Sequence, residues 1–225
     1  GVQRHRLSCD RMGWHRQNSG FRGPSVGFAL GSLLFAIGAA PGYATTVGAH
    51  IGNLTYFAGS LFFTAAAFAE FRFTGRVTPG PSTSRVNRYD WWSALIQFVG
   101  TVLFNLSTGA AVIRSLSAPE RYEFVWQPDM FGSLCFLVSS GLAVVATTDV
   151  DGLWDPHARN WASTWLNAVG SIAFGVSAVG SLVVPATQQL ESATAANLGT
   201  LIGAVCFLVA SLLMRAPDPP RSPVA

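Results

Sequence analysis

The sequence predicts an all-α, polytopic integral membrane bundle of six transmembrane helices, arranged as three tandem helical-hairpin repeats. Three observations carry that reading. Half of the 225 residues are apolar and only 11% are charged, with a mean hydropathy of +0.37, the composition of a membrane protein. Six stretches meet the roughly 20 apolar residues needed to cross a hydrocarbon core of about 30 Å. Each of the six carries one copy of the motif Gly-small-x-x-Phe.

Residues 1–24 form an Arg-rich tail with Arg4, Arg6, Arg11, Arg16 and Arg22. Hairpin repeat 1 covers 25–71, with spans at 25–44 and 51–71 that contain Gly31-Ser32-Leu33-Leu34-Phe35 and Gly59-Ser60-Leu61-Phe62-Phe63. The Arg-rich lead and the small residues Ala39 and Ala40 would also suit a cleaved signal peptide, but the shared motif predicts a retained helix. A linker at 72–90 holds Arg72, Arg76, Arg85 and Arg88 with Pro79 and Pro81.

Hairpin repeat 2 covers 91–147, with spans at 91–113 and 130–147 that carry Gly100-Thr101-Val102-Leu103-Phe104 and Gly132-Ser133-Leu134-Cys135-Phe136. The run from Tyr122 to Asp129 between them reads as an interfacial segment. Pro128 is expected to open the fourth helix near its first turn, with Asp129 close to the positive end of the helix. The linker at 148–160 gathers Asp149, Asp151, Asp155 and His157. Its Gly152 comes too early for an EF-hand loop, and Asp-Gly chemistry predicts a solvated turn.

Hairpin repeat 3 covers 161–214, with spans at 161–184 and 194–214 that hold Gly170-Ser171-Ile172-Ala173-Phe174 and Gly203-Ala204-Val205-Cys206-Phe207, and residues 215–225 form a second tail. Trp91, Trp92, Trp126, Trp154 and Trp161 flank the spans, as an interfacial belt requires.

All fourteen basic residues are Arg, and twelve fall in the tails and the two linkers, against Arg114 and Arg121 on the other side. The positive-inside rule then places both termini in the cytoplasm of a plasma (inner) membrane, multi-pass. The charge is topological, so lipid headgroups are expected partners and nucleic acid is not. A homo-oligomer or a second membrane protein is a further expected partner. Arg without Lys, with abundant Ala, Gly and Val, points to a GC-rich bacterial source. Cys9 lies in the tail while Cys135 and Cys206 lie in spans, which makes no disulfide framework and predicts small buried hydrophobes.

Motif glycines 31, 100 and 170 are 69 and 70 residues apart, and 59, 132 and 203 are 73 and 71 apart. The repeating unit is thus a hairpin of about seventy residues, entered and left on the same side. Away from the motif, Trp91 aligns with Trp161, Ser93 with Ser163, Gln97 with Asn167 and Ser107 with Ser177. Within a helix, the Phe leans back over the turn that holds the Gly four residues earlier. The pair makes a notch beside a knob, suited to close helix packing in lipid. The packing positions are Gly31, Phe35, Gly59, Phe63, Gly100, Phe104, Gly132, Phe136, Gly170, Phe174, Gly203 and Phe207. A Ser or Thr at the second position can return its hydroxyl to a carbonyl one turn back.

No Lys, Arg, Asp or Glu occupies the middle of a span, where ion and proton pathways would place them. Gln97, Asn105 and Asn167 remain as a candidate polar cavity, Gln97 and Asn167 each three residues before a motif Gly. The chain contains no P-loop, H-E-x-x-H or G-x-S-x-G pattern. No catalytic, metal or cofactor residue is therefore expected. The sequence favours a non-enzymatic membrane protein with a structural or interaction role. The alternative is a carrier or channel for a small neutral or weakly polar solute.

The hairpins with Gly-Ser-x-x-Phe, above all Trp126-x-Pro128-Asp129-x-x-Gly132-Ser133-x-x-Phe136, resemble the YrhK-like small membrane protein family. The resemblance implies a two-helix membrane module without an assigned activity, and no catalytic residues carry over from it. Three units in tandem depart from a single-hairpin module.

Overall fold

A computed structural model of the chain describes residues 23–73, 76, 78–147, 154, 156, 160–184 and 189–214. Residues 1–22 with Cys9, the second tail, and the acidic run Asp149, Asp151, Asp155 and His157 lie outside the described residues. The fold is all-helical apart from one two-stranded ribbon. Helix α1 covers Gly23–Gly38, followed by α2 (Tyr43–Val47), α3 (Ala49–Phe73), α4 (Arg85–Val112), α5 (Ala118–Arg121), α6 (Gln127–Thr147), α7 (Trp161–Gly180) and α8 (Ala193–Leu213). Strands β1 (Val183–Val184) and β2 (Gln189–Leu190) pair antiparallel between α7 and α8.

Five helical stretches are long and apolar enough to cross a membrane: Ala49–Arg72, Arg85–Val112, Ala118–Thr147, Trp161–Gly180 and Ala193–Leu213. The expected first span at 25–44 is corrected by α1, which ends at Gly38. At 1.5 Å per residue it rises about 24 Å, short of a ~30 Å core. The break has a local cause. Pro41 cannot continue the hydrogen-bond ladder, and Gly42 adopts a left-handed conformation at φ 83° that glycine enters without penalty. The short α2 then ends at Gly48, also at positive φ.

The fourth span is corrected in the opposite sense. Pro128 does not open its helix: the helical path begins ten residues earlier, at Ala118. Glu120 starts it by accepting hydrogen bonds from the Ser117 N–H and hydroxyl. A π-helical turn over Tyr122–Trp126 joins α5 to α6, with Gln127 N–H returned to Tyr122 O. Such turns absorb a ladder mismatch, and this one lies just before the residue that lacks an N–H.

The outer surface is apolar, and the interior mixes Phe and Ala with small hydroxyl side chains. The largest fully buried side chains are Thr101, Ser32, Ser60, Ser133, Ser139 and Ser171, while Leu33, Leu61, Val102, Leu134, Ile172 and Val205 are exposed. In every motif the second residue is therefore hidden and the third faces outward. A surface of Leu, Ile and Val around an interior of Phe, Ala and hydroxyls suits a lipid environment, where hydroxyls bond between helices.

Neighbouring helices pack in the order α3, α4, α6, α7, α8. Helix α1 packs on α3 through Gly27 and Gly31, and the Ser25 hydroxyl donates to Met214 Sδ just beyond α8 (3.4 Å). The bundle closes on itself. The end holding Gly23 and Met214 is the near end below, and the opposite one is the far end.

Candidate functional site

The six motifs converge on the centre, and within each hairpin they pair reciprocally. A β-carbon built on Gly31 would lie 3.2 Å from the Phe63 ring, and one on Gly59 would lie 2.8 Å from Phe35. Gly100 and Phe136 approach to 2.9 Å in the same sense, and Gly132 and Phe104 to 2.5 Å. The third hairpin gives 2.6 Å for Gly170 and Phe207, and 2.8 Å for Gly203 and Phe174. Backbones meet there too, since the Gly132 position would lie 3.1 Å from Gly100 O and the Gly203 position 3.0 Å from Gly170 O.

The six rings form two stacked layers, and none is more than 8% exposed. Phe35, Phe104 and Phe174 make a closed triangle with centroid separations of 6.2, 5.9 and 6.1 Å. In the second layer Phe207 lies 6.2 Å from Phe63 and 5.9 Å from Phe136. Intra-hairpin pairs at 5.4, 5.0 and 5.2 Å join the layers. These tilted and edge-on contacts are the favourable ones for aromatic rings. Together they make a dry septum across the bundle.

A cavity abuts each face of the septum, and the two linings share no residue. The near-end cavity, about 180 Å³, rests on Phe136 and Phe207 and is walled by hydroxyls and amides. Gln97 and Asn167 both line it, as does Phe28. These three share one place in their helices, three residues before motif glycines 100, 170 and 31. Ser139 donates to Ser93 O (2.8 Å), and Ser140 lies 2.7 Å from the Ser171 hydroxyl. The side-chain amide of Asn167 has no hydrogen-bond partner among the described residues, and Gln97 only accepts a long bond from Ser139 (3.4 Å).

At the mouth of this cavity Arg76 bridges the α3–α4 connection. Its Nη2 lies 3.0 Å from Glu70 Oε1, and its Nε lies 2.8 Å from Asp90 Oδ2. Burial opposes the guanidinium charge, but the two carboxylates outweigh it and hold the Arg76 pKa above its ordinary value.

Asn105 stands apart from Gln97 and Asn167 and is not in the wall of that cavity. Its Nδ2 donates to Thr64 Oγ1 and its Oδ1 accepts from Ser60 Oγ, tying α4 to α3. Three motif hydroxyls return to their own helix, Ser60 to Phe57 O, Thr101 to Phe98 O and Ser171 to Asn167 O. Ser133 instead reaches Phe174 O on α7 at 3.4 Å, and Ser32 Oγ is buried without a partner among the described residues.

The far-end cavity, about 390 Å³, rests on Phe35, Phe104 and Phe174. The antiparallel partners build its walls by the same offset. Tyr56, Asp129 and Thr200 stand three residues before motif glycines 59, 132 and 203, and Asn53, Trp126 and Asn197 stand six before; all six line the cavity. Trp126 Nε1 donates to Ala178 O at 2.9 Å, which fixes its indole. Asn53 Nδ2 donates to Ala111 O at 2.7 Å. Asp129 has no hydrogen bond or ion pair among the described residues.

Sequence reasoning missed this second set. Aligning the second helix of each hairpin on its motif Gly, as was done for the first, would have brought Tyr56, Asp129 and Thr200 together. Taking Pro128 as a helix start hid the position, because it left Asp129 at an end.

Among the comparisons with known proteins, the family model described as YrhK-like protein matches residues 120–186. That stretch, less than a third of the chain, contains α6, its near-end connection, α7 and β1. It therefore straddles the second and third hairpins as the motif spacing divides them. It supplies Trp126, Asp129, Phe174 and Ser177 to the far-end cavity. No curated protein and no solved structure matches the chain.

Proposed function

We propose, for a chain whose residues 120–186 are YrhK-like, that it is a six-span integral membrane protein which carries a small polar solute between the two cavities by parting the aromatic septum. The observation that supports this is the pair of cavities, each lined in part by polar side chains, set back to back on opposite faces of six Phe rings. A packing scaffold has no need of amides with unspent donors at its centre, whereas a solute shedding its water does. Reciprocal Gly–Phe pairing in each hairpin supports the three-repeat reading, with α1 as a shortened first span that a locally thinned bilayer accommodates. The uneven distribution of Arg supports both termini on the cytoplasmic side of the inner membrane. The protein works without a cofactor and is not an enzyme in this reading. Its partners are lipid and another copy or a second membrane protein.

A second reading has its own observation. The septum is as tightly packed as a helix interface, which suits a scaffold that acts through partners. Flux separates the two. Purified protein in liposomes should shrink and reswell faster than protein-free vesicles when challenged with glycerol, urea or choline chloride, read by stopped-flow light scattering. Gln97→Leu with Asn167→Leu should remove that rate while leaving a folded bundle. Wild-type vesicles no faster than empty ones for every solute would sink the carrier and leave the scaffold. Reporter fusions at each terminus test the orientation, and activity of a periplasm-dependent reporter at either end would reverse it.

A further inference from the structure

We propose that the far-end cavity binds a small monovalent organic cation, an alkylammonium or quaternary ammonium ion, with Asp129 as counter-ion and the surrounding rings as walls. The inference rests on the carrier reading for its purpose, though not for its chemistry.

Asp129 lies within the apolar stretch Ala118–Thr147, one helical turn from the septum and facing a cavity of about 390 Å³. A carboxylate inside a span is costly, and such groups usually have a partner. None of the described residues serves as one. The other charged wall residue is Arg121, eight positions earlier and so about 12 Å away along a helix. It is exposed, and its Nε donates to Leu116 O at 3.3 Å. The cavity thus holds one carboxyl group deep and one guanidinium at its rim.

The remaining walls decide which cation. Tyr56, Trp126, Phe35, Phe104 and Phe174 supply five aromatic side chains, whose faces attract a poorly hydrated cation. A divalent metal ion would want six or more oxygen ligands, several of them carboxylates, and one carboxylate among aromatic rings does not provide that. The rings are held in place: Trp126 by its bond to Ala178 O, and Tyr56 by Gly38, where a β-carbon would lie 2.8 Å from the ring. Asn53, Asn197 and Thr200 add neutral polar groups for a hydroxyl or amide on the same solute. Tyr56 and Thr200 stand where Asp129 does in the other two hairpins, so the site has a single counter-charge. The charged residues lining the near-end cavity are Glu70, Asp90 and Arg76, so carboxyl groups stand on both sides of the septum.

The test compares choline with its uncharged isostere 3,3-dimethylbutan-1-ol on the full chain in lipid nanodiscs, by calorimetric titration. Choline should bind saturably and at least tenfold more tightly than the alcohol. Asp129→Asn should abolish that tenfold preference, and Asp129→Glu should keep most of it. Equal binding of the two probes, or none of choline, would overturn the proposal without any variant being made. Choline preference unchanged in Asp129→Asn would overturn the role of Asp129. Choline binding without flux in the vesicle assay would leave this site and sink the carrier. Glycerol flux without choline binding would do the reverse.

Discussion

The two cavities are built by one rule and differ in what the rule delivers. Three residues before the motif Gly, the first helices of the hairpins place Phe28, Gln97 and Asn167 at the near end, and their antiparallel partners place Tyr56, Asp129 and Thr200 at the far end. The near end answers with two amides and a ring. The far end answers with a phenol, a carboxylate and a hydroxyl. The motif thus fixes the septum, whose positions repeat almost without change. The position one turn away carries the chemistry, and it varies from hairpin to hairpin. Asymmetry there costs nothing in packing, because a cavity wall has no facing helix to fit.

The largest test of this division substitutes the septum. In Gly132→Leu the new side chain must displace the Phe104 ring and the Gly100 carbonyl. Overpacking of this kind costs about 3 kcal/mol or more when backbone must move. The expected outcome is loss of the monodisperse folded peak in detergent. Gly141→Leu on the same helix meets nothing within 4 Å and should leave the peak unchanged. If both variants behave alike, the septum is not the element that organises the bundle.

Charges at the two ends should respond oppositely. Arg76→Met leaves Glu70 and Asp90 facing each other and should lower thermal stability by about 1–2 kcal/mol. That is well under the 3–5 kcal/mol of a fully buried broken pair, because the Asp90 side chain is 44% exposed. Asp129→Asn removes a carboxylate that has no partner among the described residues, and should hold or raise the melting temperature. A large loss of stability from Asp129→Asn would assign that residue to the fold and end the comparison.

Gln97→Leu and Asn167→Leu should each change stability by less than about 1 kcal/mol, since interhelical bonds in membranes are individually weak. Asn105→Leu, which breaks the ties to Ser60 and Thr64, should cost more than either. The reverse ranking in a denaturation series would place the structural amides at the cavity and the free one at the α3–α4 seam.

The difference between these amides was not legible in the sequence, and the reason is geometric. Gln97, Asn105 and Asn167 share a chemistry and all lie inside apolar spans, and hydropathy records neither the face a residue takes on its helix nor the side of the septum on which it lies. Only the position three before the motif Gly does, and Asn105 is not there. The motif itself was fully legible because it repeats in register. The end of α1 was less so: Pro41 and Gly42 were in view, but an unbroken run of apolar residues read through them. The helical start at Ser117-x-x-Glu120 was also in view, masked by Pro128 as the stronger signal. The β1–β2 ribbon left no trace, since two-residue strands have no periodicity to detect.

The smallest effect sharpens the comparison between hairpins. Ser171 Oγ bonds Asn167 O at 2.8 Å and sits 2.7 Å from Ser140 Oγ, while the equivalent Ser32 Oγ is buried without a partner among the described residues. Removing a bonded hydroxyl costs about 0.5–1.5 kcal/mol, whereas removing an unsatisfied buried one relieves a desolvation cost. Ser171→Ala should therefore destabilise by about 1 kcal/mol, and Ser32→Ala should be neutral or slightly stabilising. Ala204 already occupies this position in the sixth motif, so a methyl group fits the site. Equal losses from both variants in a thermal-shift comparison would mean that the Ser32 hydroxyl is satisfied in lipid, and that the first hairpin differs from the third only in its length.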